Sequence, residues 1–419
     1  MTDYLARLDA AAPAEKWKLA RGFLFDEPLP FFAQMRAERP VYVTDDVTLV
    51  FRFDDCTKVL RRPETFGVDL YKPKQGGYFM AQDDTAGHWR EKSIMKAILD
   101  IEDVPKIRDW VRNTTDAILD DAGGRIEMVR GLSRGVPVKL VQDWFGFTRS
   151  DPDKLIDWSY WNQQDAFWNQ PFDHVVEGLD QAGIVKNREQ ANVMMAIYLG
   201  RLVLRRSAAV RFGSRKDDPV SRLLRLSFSD GVDFGVKDVV FNVGGLLIGA
   251  VETTSHTVCN ALQVLTADPD LHRRARDAAL GGRAEDFDGY VWEALRYKPA
   301  FPYFFRTCHR DTPMAMGTAQ ETLVRKGTTV LAVTHSAMFD AAAFPDPHGF
   351  LSDRDFSDTF TFGQGLHSCL GRHISGVMVP EIVRQILRRP DLAVGAGPDY
   401  DGTSVPQSWQ ISYDSGAGN

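Results

Sequence analysis

One cysteine lies in a loop whose residue types could carry chemistry. The segment TFTFGQGLHSCLGRH covers residues 359–373 and contains Cys369, one of four cysteines in the 419-residue chain. Peptide N–H groups in a glycine-rich loop that leads into a helix favour the anionic form of a thiol. Such a thiolate can be a nucleophile, with His367 as its base, a redox sensor or a metal ligand. The alternative is a small buried side chain without reactivity.

A second chemical pattern is an acid followed by an alcohol inside an apolar segment. Residues 236–265 are apolar on nearly every helical face, which is typical of one long helix at the centre of a large fold. The sequence GAVETT at 249–254 places Glu252 and Thr253 in the middle of it. Polar residues and poor helix formers in a core helix indicate a functional site. An exposed acid beside a threonine that bonds its own helix is the alternative.

The elements that must position these groups are mostly helices. Helical periodicity is found at 28–38, 87–99, 104–122, 193–210 and 236–265, and a last helix is expected over about 370–387. Pro380 is expected to kink that helix or end its first segment. Strand-like runs at 40–44, 48–53 and 322–334 predict small sheets. The pattern favours a mainly α fold with a minor, discontinuous β region, in one domain over residues 1–419.

Composition excludes several classes of protein. The chain has 50 Lys and Arg against 57 Asp and Glu, a formal charge of −7 with no basic tail, which disfavours nucleic-acid binding. No apolar run reaches the roughly 20 residues that span a bilayer. The four cysteines form no Cys-x-x-Cys pair, so neither a disulfide framework nor a zinc site is indicated. A cytoplasmic protein without nucleic-acid or membrane partners is expected.

The cysteine loop resembles that of a known family. The spacing Phe362-Gly363-x-Gly365-x-His367-x-Cys369-x-Gly371 is similar to the haem-binding loop of the cytochrome P450 family. The resemblance implies that Cys369 is the axial ligand of the haem iron, that the cofactor is haem b, and that O2 is a co-substrate. It also implies the family's fold, a triangular α-rich prism with small discontinuous sheets.

Two further motifs support the resemblance. Glu293-Ala294-Leu295-Arg296 resembles the family's Glu-x-x-Arg signature, for which Arg354 would be the partner. Residues 249–254 resemble its oxygen-activation motif, which includes Gly249. There the hydroxyl of Thr253 would hold dioxygen, and the carboxylate of Glu252 would connect it to water. Ala250 replaces a usual glycine and would narrow this groove.

The resemblance also implies contacts to the haem propionates. His88 and Lys92 match the family's His-x-x-x-Arg position with lysine in place of arginine, which keeps the charge and loses the planar fork. Arg306 and His367 match the other propionate contacts, and Phe362 and Gly371 belong to the haem loop. Arg90 competes with Lys92 for the same role.

The implied activity is that of a bacterial-type haem-thiolate monooxygenase from a somewhat divergent branch. It would insert one oxygen atom from O2 into an apolar or aromatic-containing small molecule, as a monomer, with electrons from a separate ferredoxin or flavodoxin. The implied substrate region contains an aromatic group that as a whole favours such a substrate: Trp158, Tyr160, Trp161, Phe167 and Trp168. For each of these residues taken singly, core packing is the favoured interpretation. The alternatives are a peroxide-driven peroxygenase or fatty-acid hydroperoxide isomerase, and a haem-binding sensor without turnover.

Overall fold

The computed structural model describes residues 2–415 and is mainly helical, as the sequence predicts. Short 3-10 turns and the π-helix Val129–Ser133 are left unnumbered. The helices are α1 (Tyr4–Ala10), α2 (Lys16–Asp26), α3 (Pro28–Glu38), α4 (Phe53–Arg61), α5 (Lys72–Gln75), α6 (Ala86–Ile98), α7 (Val104–Asp121), α8 (Gly135–Asp143), α9 (Pro152–Trp168), α10 (Gln181–Arg211), α11 (Pro219–Ser227), α12 (Val236–Ala250), α13 (Glu252–Ala267), α14 (Pro269–Leu280), α15 (Ala284–Tyr297), α16 (Thr334–Ala337) and α17 (Arg372–Arg388). None of those described is long and apolar enough to cross a membrane.

Within residues 2–415, three small sheets complete the fold and confirm the minor β region. The strands are β1 (Val41–Val43), β2 (Thr48–Val50), β3 (Phe66–Gly67), β4 (Arg125–Glu127), β5 (Phe304–Cys308), β6 (Thr312–Met314), β7 (Thr322–Val324), β8 (Thr329–Ala332) and β9 (Gln410–Ser412). The largest sheet has the order β1-β2-β8-β5-β3, in which only β2 and β8 are parallel. Its register pairs Arg306 with Val330, which holds Arg306 on a central strand.

The central apolar segment is two helices, so the prediction of one long helix is wrong. Val251 lies between α12 and α13 with φ −87° and ψ −66°. Side chains bind the carbonyls that would continue the helix: Gln163 Nε2 donates to Ile248 O at 2.7 Å, and Thr253 Oγ1 donates to Gly249 O at 2.5 Å. These bonds replace backbone pairing at the break, because a carbonyl in the core needs a donor.

The last helix continues through its proline. α17 extends from Arg372 to Arg388 with Pro380 inside it, so the expectation that Pro380 ends a first segment is wrong. Every residue from Val377 to Leu387 is buried, and the helix packs against α7, α13, α14 and α15. Burial along the whole helix outweighs the roughly 3 kcal/mol that an internal proline costs.

Candidate active site

One cavity of about 280 Å³ collects most of the residues singled out by the sequence. Its walls come from the break between α12 and α13, from β5, from the segment 360–371 and from the start of α17. The predicted site residues that line it are Gly249, Thr253, Arg306, Phe362, His367, Cys369 and Gly371. His88, Lys92 and Glu252 are buried outside the lining. Residues more than a hundred positions apart in the chain therefore meet at one apolar cavity.

The loop that carries Cys369 has a fixed backbone. The N–H of Cys369 donates to Phe362 O at 2.8 Å, and the N–H of Gly363 donates to Phe360 O at 2.8 Å. Gly365 has φ +71°, and a Cβ there would lie 2.4 Å from Leu60 O, so only glycine fits. The loop therefore holds the Cys369 thiol at the cavity: the side chain is open to the cavity but lies inside the protein, away from bulk water.

The protonation of Cys369 depends on what faces it. Burial raises the pKa of the Cys369 thiol, and the N–H of Gly371 and the charges of Lys92 and Arg372 oppose that shift only in part. The peptide groups alone therefore do not make the thiolate that the sequence suggests. A metal cation bound to the sulfur would produce the thiolate, because a coordinating thiol loses its proton.

Buried cationic and imidazole groups lie beside the cavity without anionic partners. Arg306 is buried and donates to Phe305 O at 2.8 Å, and Lys92 is buried and donates to Leu366 O and, at 3.0 Å, to Ser368 O. No carboxylate of residues 2–415 forms an ion pair with either of them. Burial lowers the pKa of Lys92 to about 8. Unpaired buried charges of this kind are costly, so the site is suited to an anionic occupant.

Two histidines extend this cluster. The ring centroids of His88 and His367 lie 5.1 Å apart in an edge-to-face arrangement. None of the four ring nitrogens makes a hydrogen bond of normal geometry. Burial, followed by the charge of Arg306, lowers the pKa of His367 to about 2, and burial lowers that of His88. Buried polar atoms without partners indicate a missing ligand with hydrogen-bonding groups.

The structure distinguishes between Lys92 and Arg90 as the cation beside the cavity. Lys92 is on the buried face of α6, and its ammonium group reaches the carbonyls of the cysteine loop. Arg90 instead pairs with the exposed Asp233. Lys92, and not Arg90, therefore lies at the site.

Glu252 does not share the cavity with Thr253. The Glu252 carboxylate is buried and forms an ion pair with Arg134: Nη2 donates to Oε2 at 3.0 Å, and Nε lies 2.8 Å from Oε1. Arg134 also donates to Pro406 O at 3.2 Å. Burial raises the pKa of Glu252, and the charge of Arg134 opposes this. The Thr253 hydroxyl lines the cavity, whereas the acid beside it in sequence points to Arg134.

The Glu-x-x-Arg pair forms the network that the resemblance implies. Arg296 Nη2 lies 2.7 Å from Glu293 Oε1, and Arg354 Nε lies 3.2 Å from Glu293 Oε2. Arg296 also donates to the carbonyls of Met338, Pro347 and Gly349. Because the guanidinium and carboxylate groups of this network all have partners, the Glu293–Arg296 pair holds residues 338–354 in place, and this segment leads to the cysteine loop.

Sequence reasoning missed several residues of the site. Gln163 lines the cavity, and Gln163 and Ser159 of α9 both donate to Ile248 O. Arg134 was also missed. The signal for Gln163 was available, because the run WNQQD places three adjacent amide side chains between the aromatic residues of α9. Of the aromatic group on α9, only Phe167 lines the cavity.

The residues fit a flat, apolar cofactor that carries carboxylates and a metal ion. The thiol of Cys369 is the soft donor, and the cluster of Arg306, Lys92, His88 and His367 provides cations and unpaired ring nitrogens for carboxylates. Apolar side chains form most of the remaining lining. This combination fits a haem-thiolate protein.

The chain belongs to the cytochrome P450 family, whose model matches residues 40–398. It is 27% identical to the cytochrome P450 monooxygenase PikC of Streptomyces venezuelae over 89% of this chain and 86% of that protein. It is 25% identical to the steroid C26-monooxygenase of Mycolicibacterium smegmatis, over 85% and 84%. The protein is thus a bacterial-type P450 monooxygenase that uses haem, O2, a small-molecule substrate and a redox partner.

Solved structures share the fold. The crystal structure of CalO2 matches with a TM-score of 0.78 and 20% identity over 95% of this chain and 98% of that one. The open cytochrome P450 EryK of S. erythraea matches with a TM-score of 0.76 and 22% identity over 94% and 98%. These matches confirm the predicted α-rich fold with small sheets.

Proposed function

We propose that this enzyme inserts one oxygen atom from O2 into a neutral, apolar or aromatic-containing small molecule, with electrons from a separate ferredoxin or flavodoxin. The observation that carries the proposal is that Cys369 and Thr253 share one mostly apolar cavity that borders buried, unpaired cationic groups. Such a cavity binds an apolar molecule beside a thiolate-ligated cofactor.

Haem b is the proposed cofactor, because the sequence contains no Cys-x-x-Cys-His motif for covalent attachment. Cys369 would ligate its iron, while His88, Lys92, Arg306 and His367 would hold its carboxylates. Phe362 would cover the sulfur, and Gly249 and Gly371 would let backbone approach the ring. Bound haem supplies the activation of dioxygen.

Thr253 and Glu252 are the proposed proton-handling residues. Thr253 lines the cavity, and its hydroxyl donates a hydrogen bond to Gly249 O. Glu252 lies on the far side of the helix break at Val251 from the cavity. Its carboxylate would have to separate from Arg134 before it could transfer a proton to Thr253.

Substrate, assembly and location complete the proposal. Aromatic side chains of the lining, including Phe167, Phe301 and Phe304, support an apolar substrate. The names of relatives, among them the steroid C26-monooxygenase and an erythromycin C-12 hydroxylase, support a largely apolar organic molecule. We place residues 1–419 in one domain that acts as a monomer in the cytoplasm, and the four unpaired thiols support a reducing compartment.

Turnover under labelled oxygen tests the activity. Haem-loaded protein is mixed with ferredoxin, ferredoxin reductase, reductant and a panel of neutral steroids and aryl compounds under 18O2. The proposal predicts that product contains one 18O atom and that its formation needs the partner. Unlabelled product formed with peroxide or a hydroperoxide alone would support a peroxygenase or isomerase instead. Absence of both oxygen consumption and product would support a sensor.

A further inference from the structure

Gln163 connects the helix break to the cavity. It lies on α9, is 6% exposed, and lines the cavity beside Gly249 and Thr253. Its Nε2 donates to Ile248 O at 2.7 Å, and Ser159 Oγ donates to the same carbonyl at 3.3 Å. One side of the Gln163 amide is therefore bonded to the backbone just before the break.

This bond fixes which way the Gln163 amide faces. A carbonyl oxygen only accepts hydrogen bonds, so the nitrogen of Gln163 must face Ile248 O. The other end of the amide, Oε1, is solvent-accessible and has no hydrogen-bond partner in the part of the chain that the structure describes. Because Gln163 is otherwise buried, that accessible oxygen opens into the cavity.

The rest of the cavity makes this acceptor distinctive. The hydroxyl groups of Thr253 and Thr257 donate to backbone carbonyls, Thr253 to Gly249 O across the helix break and Thr257 to Thr253 O. Thr254 also lines the cavity, but its hydroxyl is a donor as well as an acceptor, whereas the Gln163 Oε1 atom can only accept. Among residues 2–415, no aspartate, glutamate or lysine lines the cavity, and Arg306 is the lining residue that carries a permanent charge. Gln75 and Tyr78 also line it, but both are less buried than Gln163. An acceptor that faces the cavity and has no donor is therefore offered to whatever neutral molecule binds here.

We propose that Gln163 is a substrate-binding residue, whose Oε1 accepts a hydrogen bond from an O–H or N–H group on an otherwise apolar, neutral substrate. Ile248 O holds the amide in the orientation that presents this oxygen. The inference deepens the proposed function and rests on it, since it places the substrate in the same cavity. A site built to bond a donor discriminates against the analogue that lacks it.

Matched ligand pairs test this inference. The probes are 4-hydroxybiphenyl with 4-methylbiphenyl, and 1-naphthol with 1-methylnaphthalene, whose members differ by a hydroxyl in place of a methyl group. Equilibrium dialysis gives the dissociation constant of each probe for the haem-loaded protein. The measured quantity is the ratio of the two constants within a pair.

The variants separate the acceptor from its surroundings. Gln163→Met keeps the length of the side chain and removes the oxygen, and we expect the preference for the hydroxyl member to fall about five- to tenfold. Gln164→Met makes the same change one residue further on, outside the cavity lining, and is expected to leave the ratio unchanged. Ser159→Ala removes the second donor to Ile248 O while Gln163 stays bonded, so the ratio should also persist.

Wild-type protein alone can overturn the inference. An apolar cavity without a facing acceptor favours the methyl member of each pair, so that result would contradict it, as would binding of no probe at all. A preference that survives Gln163→Met would contradict it too. The 18O2 experiment is independent of these ratios: labelled product with an unchanged preference rejects the role of Gln163 and leaves the monooxygenase activity standing.

Discussion

Replacement of Arg134 tests the environment assigned to Glu252. In the wild-type protein the two side chains are 6% and 3% exposed and joined by two contacts, at 2.8 and 3.0 Å. Arg134→Met leaves the carboxylate buried without a cation. Breaking a buried pair in this way costs about 3–5 kcal/mol of unfolding free energy. The double variant Arg134→Met/Glu252→Gln removes the stranded charge and should recover most of that loss.

Equilibrium urea unfolding measures these changes, with the midpoint and the slope fitted separately. Arg130→Met is the matched control, because Arg130 lies four residues earlier and pairs with Asp153 where both side chains are more than half exposed. Exposed pairs contribute roughly 0–1 kcal/mol. A loss in Arg134→Met no larger than that of Arg130→Met would refute the reasoning.

The pH dependence gives an independent check on the same pair. Burial already raises the pKa of Glu252, and Arg134 is the largest opposing influence, so its removal raises that pKa further. A carboxyl group whose pKa is higher in the folded than in the unfolded protein destabilises the fold progressively as pH rises from the unfolded-state pKa to the folded-state pKa. The deficit of Arg134→Met should therefore be smaller at pH 5 than at pH 8. A deficit that grows on acidification would contradict this.

Three further predictions concern the cavity and the core. Thr253→Ala should keep the fold and divert reducing equivalents to hydrogen peroxide, measured as peroxide per reductant consumed; unchanged coupling would remove Thr253 from proton handling. Lys92→Met should raise the rate of haem transfer to apomyoglobin by roughly tenfold, since a charge-assisted bond is lost, whereas Arg90→Met, on the surface, should not change it. Burial lowers the pKa of both His256 and His335 to about 3. An unfolded histidine binds a proton near pH 6.5, so the free energy of unfolding should decrease as pH falls below that value, by about 1.4 kcal/mol per histidine at pH 5.5. The pH dependence should be shallower in His256→Gln. A free energy of unfolding that is constant from pH 7 to 5.5 would refute this prediction.

The cysteine loop could be predicted because its chemistry is local. Positive φ at Gly363 and Gly365 and the position of Cys369 before a helix are properties of one short segment, and the spacing of residues reports them directly. The mainly α fold was likewise predictable from helical periodicity, which needs no distant partner.

Features that depend on distant side chains could not be predicted. The GAVETT sequence indicated an irregular core segment, but the break at Val251 involves Gln163 of α9, and the direction of Glu252 depends on Arg134, 118 residues earlier. The effect of Pro380 on the continuity of α17 was overestimated for the same reason, because packing on every side keeps this helix intact. Tertiary contacts override local preference at these positions.

The most direct test of the central claim is the absorption spectrum of the haem-loaded protein, reduced under carbon monoxide. Ligation by Cys369 predicts the red-shifted band of thiolate-bound haem in the wild-type protein and in Cys308→Ser, which changes a buried thiol outside the cavity lining. Cys369→Ser should lose that band. A wild-type spectrum without the band, or a Cys369→Ser variant that keeps it, would contradict the assignment of Cys369 as the ligand.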